Sequence, residues 1–180
     1  METTKTKWGI DPVHSEIAFK VKHLMISNVK GTFREFDATV YTAGDDFSTS
    51  QIEFSLKPAS VNTGNPDRDA HLKSADFFDA EKFDLITFKS NSLKSLDGDG
   101  NYELTGAMTI KGIARELKLD AEFGGIMKDP WGNSKAGFTL NGKINRKDWD
   151  LTWNAALEAG GVLVGEEVKI SCEVQLLKLS

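Results

Sequence analysis

The stretch Val168-Lys169-Ile170-Ser171-Cys172-Glu173-Val174-Gln175-Leu176 alternates apolar and polar side chains without a break. A period of two puts Val168, Ile170, Cys172, Val174 and Leu176 on one face and the polar residues on the other, which predicts a half-buried β-strand. Ile17-Ala18-Phe19-Lys20-Val21-Lys22-His23 repeats the pattern, with Ile17, Phe19 and Val21 opposed to Lys20 and Lys22. Between these two lie six further segments with an apolar set each. They are 28–41 (Val29, Phe33), 50–57 (Ile52, Phe54, Leu56), 84–91 (Ile86, Phe88), 101–110 (Leu104, Met108), 115–124 (Leu117, Leu119, Ala121, Phe123) and 134–144 (Phe138, Leu140, Ile144). Short Gly- and Asp-rich links at 97–101, 111–115 and 129–133 read as hairpin turns, so sequential strands are antiparallel neighbours. The pattern predicts an all-β domain, and eight such strands can close into an up-and-down antiparallel barrel that removes exposed edges. A two-sheet sandwich carries the same alternation, and periodicity does not separate the two.

One segment, from Pro58 to Phe83, lacks sustained alternation. Within it, Asn65 to Ser74 has a helix-start signature, with early acids and a late Lys. A short helical insertion between the third and fourth strands is therefore expected, and Phe77 and Phe78 need apolar surface to cover. The stretch from Arg146 to Ala159 is irregular as well, but Trp149 and Trp153 imply that it packs.

The chain has 180 residues, enough for a single domain over 1–180 with a substantial core. Residues 1–7 read as a flexible polar tail. With Lys+Arg 22 and Asp+Glu 27 the net charge is -5. That sign repels phosphate backbones, so nucleic acid is not an expected partner. No segment approaches the roughly 18 apolar residues of a membrane span. The N-terminal stretch lacks the apolar run of a secretory signal, so the expected location is cytoplasmic.

Candidate chemistry is sparse. Cys172 is alone in the chain, which excludes an internal disulfide, and it reads as a buried inert thiol. Asp97, Asp99 and Asn101 resemble the start of a calcium loop, but Tyr102 and Met108 stand where Gly and Glu are required, so the segment is a turn. His14 and His23 are nine positions apart and fall on opposite strand faces, against a three-histidine metal site with His71. Gly160, Gly161 and Gly165 suit a bend or bulge. No nucleophile elbow, phosphate loop or dinucleotide fingerprint is present, and no catalytic residue, metal or cofactor is expected. The aromatic set Phe19, Phe33, Phe54, Phe88 and Phe138 fits either a close-packed core or the wall of an apolar cavity.

Trp8-Gly-Ile-Asp-Pro-Val-His14-Ser-Glu-Ile17-Ala-Phe19-Lys-Val21-Lys-His23 resembles the opening of the YceI-like family of lipid-binding proteins. Arg68-Asp69-Ala-His71-Leu-Lys73-Ser-Ala-Asp76-Phe77-Phe78-Asp79 is similar to the family's most distinctive block. Gly31-Thr-Phe33, Ile86-Thr-Phe88-Lys-Ser90, Gly106 to Gly112, Trp131-Gly132 and Val164-Gly165-Glu-Glu-Val168 extend the likeness from about Trp8 to Leu177. The resemblance implies a lipocalin-like, eight-stranded barrel with a helical insertion. It implies that a long amphiphile, a polyisoprenoid or a fatty-acid derivative, sits inside the barrel, with a role in transport, storage or stress sensing. It also implies a homodimer, and many relatives are periplasmic. This chain departs at Arg146-Lys-Asp148-Trp149-Asp150, where the family more often carries Gly at the position of Asp150.

On this reading Ile17, Phe19, Val21, Phe33, Phe54, Phe88, Met108, Leu119 and Phe138 face the ligand. His23 is a further ligand-binding candidate, Arg68 and His71 stand at the mouth for a polar head, and Phe77 and Phe78 belong to a lid. Lys20, Lys22, Lys169 and Glu173 are expected outside. The competing readings are an enzyme acting on such a lipid, with His23 or His71 as general base, and a filled barrel with a structural or interaction role.

Overall fold

A computed structural model describes residues 5–24, 26–154 and 164–179. The last alternating run forms a long wall strand. Three sequence-distant segments pair with it, and the circle closes there. The strands are β1 (Lys5–Ile10), β2 (Glu16–His23), β3 (Ser27–Phe33), β4 (Phe36–Ala43), β5 (Asp46–Leu56), β6 (Val61–Asn62), β7 (Ile86–Ser95), β8 (Asn101–Ile110), β9 (Ile113–Lys128), β10 (Ser134–Asn145) and β11 (Val164–Lys178), with one helix, α1 (Pro66–Lys73). β11 pairs with β10 on one edge. On the other edge it pairs with β2 along its first part and with β1 along its last, where Trp8 meets Lys178 and Ile10 meets Leu176.

β1 and β2 are thus two halves of one bent wall strand, interrupted by the turn Pro12–His14. Across that interruption Asp11 N donates to Gln175 O at 2.8 Å, and Gln175 N donates to Ser15 Oγ at 3.0 Å. β3 and β4 form a second bent strand, the one pairing with β2 and the other with β1. Counted as walls, the sheet is a closed, eight-stranded, antiparallel up-and-down barrel. The ring of pairings closes through β1 and β11, which settles the choice between barrel and sandwich.

The expected strands all appear. Two differences have physical causes. Residues 5–7 are not a tail: they lie in β1, and Trp8 is completely buried. The run Lys5-Thr-Lys-Trp8-Gly-Ile10 carries little alternation, and its order comes from pairing with residues 39–43 and 176–178. The segment 28–41 breaks at Arg34–Glu35 into β3 and β4, both exposed residues at the bend.

The turns follow their chemistry. Lys111 and Gly112 join β8 to β9 as a two-residue hairpin with φ of 53° and 75°, the conformation of a type I′ turn. Asp97 Oδ1 accepts from Asp99 N at 2.8 Å, so the calcium-loop look-alike is an Asx-stabilised turn. Asp129 Oδ1 accepts from both Trp131 N and Asn133 N at 2.9 Å in the link from β9 to β10.

The insertion caps one end. Asn65 is the helix N-cap, accepting from Asp67 N at 3.0 Å and Arg68 N at 3.2 Å, and Pro66 occupies the first turn. Asp69 Oδ1 accepts from Thr63 N at 2.9 Å and Thr63 Oγ1 at 2.6 Å, fastening α1 to β6. β6 in turn pairs with Thr32 and Phe33 of β3.

Candidate functional site

Small and large inward side chains leave the barrel axis unfilled. The interior holds a cavity of about 660 Å³, within the range of small-molecule sites. A close-packed core is therefore not what the inward phenylalanines build. At roughly 30 Å³ per water-sized group, this space takes about 20 heavy atoms.

One end of the cavity is plugged by rings. Trp8 and Phe47 lie 5.0 Å apart by centroid, Phe47 and Phe138 5.0 Å, and Phe123 and Phe138 4.9 Å. Trp8 Nε1 donates to Thr42 Oγ1 at 2.9 Å, so the buried indole is satisfied. Phe47 is 2% exposed. Its position preceded the start of the third alternating run, and nothing in the local pattern marked it.

The wall between the ends is apolar. β2 contributes Ile17, Phe19 and Val21, β3 contributes Phe33, β5 contributes Phe54, β7 contributes Phe88, β8 contributes Met108, β9 contributes Leu119 and β10 contributes Phe138. These are the residues nominated from the alternation. Cys172 of β11 also lines the cavity, and burial pushes its thiol up to about 11, as suits an inert group. Lys20, Lys169 and Glu173 are exposed. Lys22 is exposed too, but it also reaches the cavity lining, in contrast to its expected outward position. β2 ends there, and at the last residues of a wall strand the two faces meet the opening.

The polar lining gathers at the α1 end. Lys22, His23, Asn65, Asp67, Arg68, His71 and Arg146 all belong to it, whereas Ser50 is the polar hydroxyl deeper in. Arg68 is half-buried, its Nε donating to Thr63 Oγ1 and its Nη2 to Thr63 O, both at 2.8 Å. His71 Nε2 lies 2.8 Å from Asp76 Oδ2, and its ring stands edge-on to Trp153 at 4.6 Å and Phe77 at 5.1 Å. Phe78 meets the Phe33 ring at 5.9 Å, and both Phe77 and Phe78 line the cavity. The insertion thus brings its two phenylalanines, Arg68 and His71 to one opening, and His23 arrives there from β2.

Sequence reasoning missed Arg146 as a lining residue. It is 3% exposed and held by backbone carbonyls: Nε to Gly165 O at 2.8 Å, Nη1 to Leu151 O at 2.5 Å and Trp153 O at 2.9 Å, and Nη2 to Val164 O at 3.2 Å. Burial lowers its pKa from the ordinary value, and the charge of Glu166 works the other way. Trp149 is buried and donates from Nε1 to Met108 O at 2.9 Å. Asp150, where the family more often carries Gly, adopts the left-handed conformation, φ 60° and ψ 27°. Gly165 sits where β11 slips register against β2, a bulge as expected; Gly160 and Gly161 lie outside the described residues. His14 is exposed and paired with Asp11 at 2.8 Å on the outer wall, far from His71 in role. Among the described residues no group of three or more His, Cys, Asp or Glu side chains is placed to hold a metal ion.

Comparison with known proteins agrees with this architecture. The profile of the YceI-like domain matches residues 8–176. The UPF0312 protein SA2479 of Staphylococcus aureus strain N315 is 41% identical over 171 residues, covering 94% of this chain and 96% of that protein. The crystal structure of the Campylobacter jejuni YceI protein superposes with a TM-score of 0.75 at 35% identity, over 89% of this chain and 91% of that one. Two more distant structures share the fold. Burkholderia cenocepacia BcnA gives a TM-score of 0.77 at 20% identity over 92% and 98% of the two chains. A polyisoprenoid-binding domain from Saccharophagus degradans gives 0.67 at 12% identity over 96% and 98%.

Proposed function

The chain belongs to the YceI-like family, and from that premise we propose that it binds the apolar tail of a single long-chain amphiphile inside the barrel, as a carrier or store. The observation that carries this reading is the 660 Å³ cavity, apolar along its wall and polar at one end only. Such a gradient matches an amphiphile laid lengthwise, tail against the Phe47 and Phe138 plug and head at α1. A polyisoprenoid or a fatty-acid derivative of up to about 20 carbons fits the volume. The name of the Saccharophagus degradans domain supports the isoprenoid alternative. Burial contributes roughly 0.8 kcal/mol per CH₂, so two further methylenes should tighten binding about tenfold until the cavity is full.

Binding without turnover, by a cytoplasmic protein, completes the proposal. Native mass spectrometry of the purified protein, followed by lipid extraction, tests it: a bound lipid that survives desalting is expected. After delipidation, a saturated chain-length series should gain affinity to a plateau near 20 heavy atoms. A delipidated protein that takes up neither fatty acids nor isoprenoids refutes the carrier reading. Release of free acid or alcohol from lipid esters at a rate that depends on His71 would instead make it an enzyme.

A further inference from the structure

The charge on the cavity lining is unbalanced, and the imbalance lies at the mouth. Lys22, Arg68 and Arg146 reach the lining there, against a single carboxylate, Asp67, among the described lining residues. Arg146 is the unusual member. A buried cation ordinarily sits beside an anion, because desolvating it alone is costly. Arg146 is 3% exposed, yet no ion pair among the described residues includes it. Its four hydrogen bonds go to carbonyl dipoles, which solvate the charge but do not neutralise it. A guanidinium has five N–H donors, so one makes no hydrogen bond to a described residue.

Arg68 is in the same position. Nε and Nη2 both grip Thr63, which leaves Nη1 without a hydrogen bond to any described residue. The two cations share a neighbourhood through Trp153. Its carbonyl receives Arg146 Nη1, and its ring stands against His71, which lies one helical turn after Arg68.

We propose that the cavity selects amphiphiles with an anionic head, a carboxylate or a phosphate, seated between Arg68 and Arg146. This rests on the carrier reading and names the head class that the reading leaves open. Glu166 acts on Arg146, but its ion pair among the described residues is with Lys147. An anion at the mouth adds a direct counter-charge and takes charge-assisted hydrogen bonds from both guanidinium groups. A neutral head of the same tail makes ordinary hydrogen bonds and adds no counter-charge.

The test is a competition assay on the full-length, delipidated protein, with displacement of a neutral fluorescent probe, N-phenyl-naphthylamine, as the readout. Two matched pairs serve as competitors at about pH 8: hexadecanoate with hexadecanol, and geranylgeranyl phosphate with geranylgeraniol. The expected result is that the anion binds at least about tenfold tighter than its neutral partner in one pair or both. The pair with the larger ratio identifies the carboxylate or the phosphate as the source. Equal affinities within both pairs overturn the anionic-head inference and leave the carrier reading standing. No binding by any of the four overturns the carrier reading and this inference with it. Arg68→Gln, on a half-buried side chain of α1, should fold normally by circular dichroism and shrink the ratio several-fold. An unchanged ratio in that variant overturns the paired seat.

Discussion

If the insertion gates the barrel, truncating Phe78 to Ala should speed lipid exchange without unfolding the wall. Phe78 is half-buried, packs edge-on to Phe33 at 5.9 Å and is tied to α1 by its N–H to Leu72 O at 3.0 Å. Complete burial of a phenylalanine makes its truncation cost about 3–5 kcal/mol. Half-burial brings that to roughly 2 kcal/mol, of which the ring pair with Phe33 supplies about 0.5–1 kcal/mol. Phe78 lies outside the strand ladders, so the loss falls on local opening rather than on the barrel as a whole. At 1.36 kcal/mol per factor of ten, 2 kcal/mol raises the open fraction about 30-fold. Stopped-flow transfer of a pyrene-labelled fatty acid from loaded protein to acceptor vesicles reads the exchange rate directly. The expected change is about 30-fold faster in Phe78→Ala, and faster still in Phe77→Ala/Phe78→Ala, with the main thermal transition shifted by only a few degrees. Trp131→Ala, on a side chain 82% exposed in the turn from β9 to β10 at the other end, is the control and should change neither. The reasoning is refuted if exchange stays within twofold of the parent while global stability falls by the whole ~2 kcal/mol. In that case Phe78 is only a plug.

Three further outcomes follow from local geometry. Asp150→Gly should raise stability by up to about 1 kcal/mol in urea denaturation, because Asp150 occupies a left-handed φ of 60° that costs a residue bearing a Cβ; an unchanged or lower midpoint counts against that strain. Gly106→Ala should cost about 1–3 kcal/mol or more, because a Cβ there would sit 2.4 Å from Lys89 O and 2.5 Å from the Phe88 ring; a parent-like thermal midpoint contradicts it. Asp11, hydrogen-bonded to Lys135 and His14, has its pKa lowered to about 2. Its folded value is below its unfolded value, so its contribution is complete above the ordinary carboxylate range and fades as the pH falls toward 2. The stability gap between the parent and Asp11→Asn should accordingly narrow from pH 5 downward, and a gap independent of pH would show that the charge is not involved.

How much of the site was readable depended on the range of the forces involved. Ile17, Phe19, Val21 and Phe88 could be placed on the inner wall from alternation alone, because a strand with one wet and one dry face must separate its side chains by a period of two. The same local rule placed α1, whose Asn65 cap, Pro66 and late Lys73 act within a single turn. The family resemblance added the cavity and the role of the Arg68 block, which periodicity left undecided. Lys22 shows where the rule ends, since it is exposed as expected yet also reaches the cavity lining, where strand β2 stops.

The sequence by itself determined the eight walls, the insertion between the third and fourth of them, and the side chains that turn inward, all of which are set by neighbours within a few residues. The tertiary structure decided closure, because β11 shares one edge between β1 and β2, and no local pattern encodes a pairing between the two ends of the chain. It decided that Trp8 is buried and that Phe47 closes the far end, since each depends on what the ring meets across the barrel. It also decided the fate of Arg146. In sequence this is one more charged residue beside Lys147 and Asp148, and such residues are ordinarily solvated. Only the convergence of Leu151, Trp153, Val164 and Gly165 around it takes its charge out of water and into the lining of the cavity.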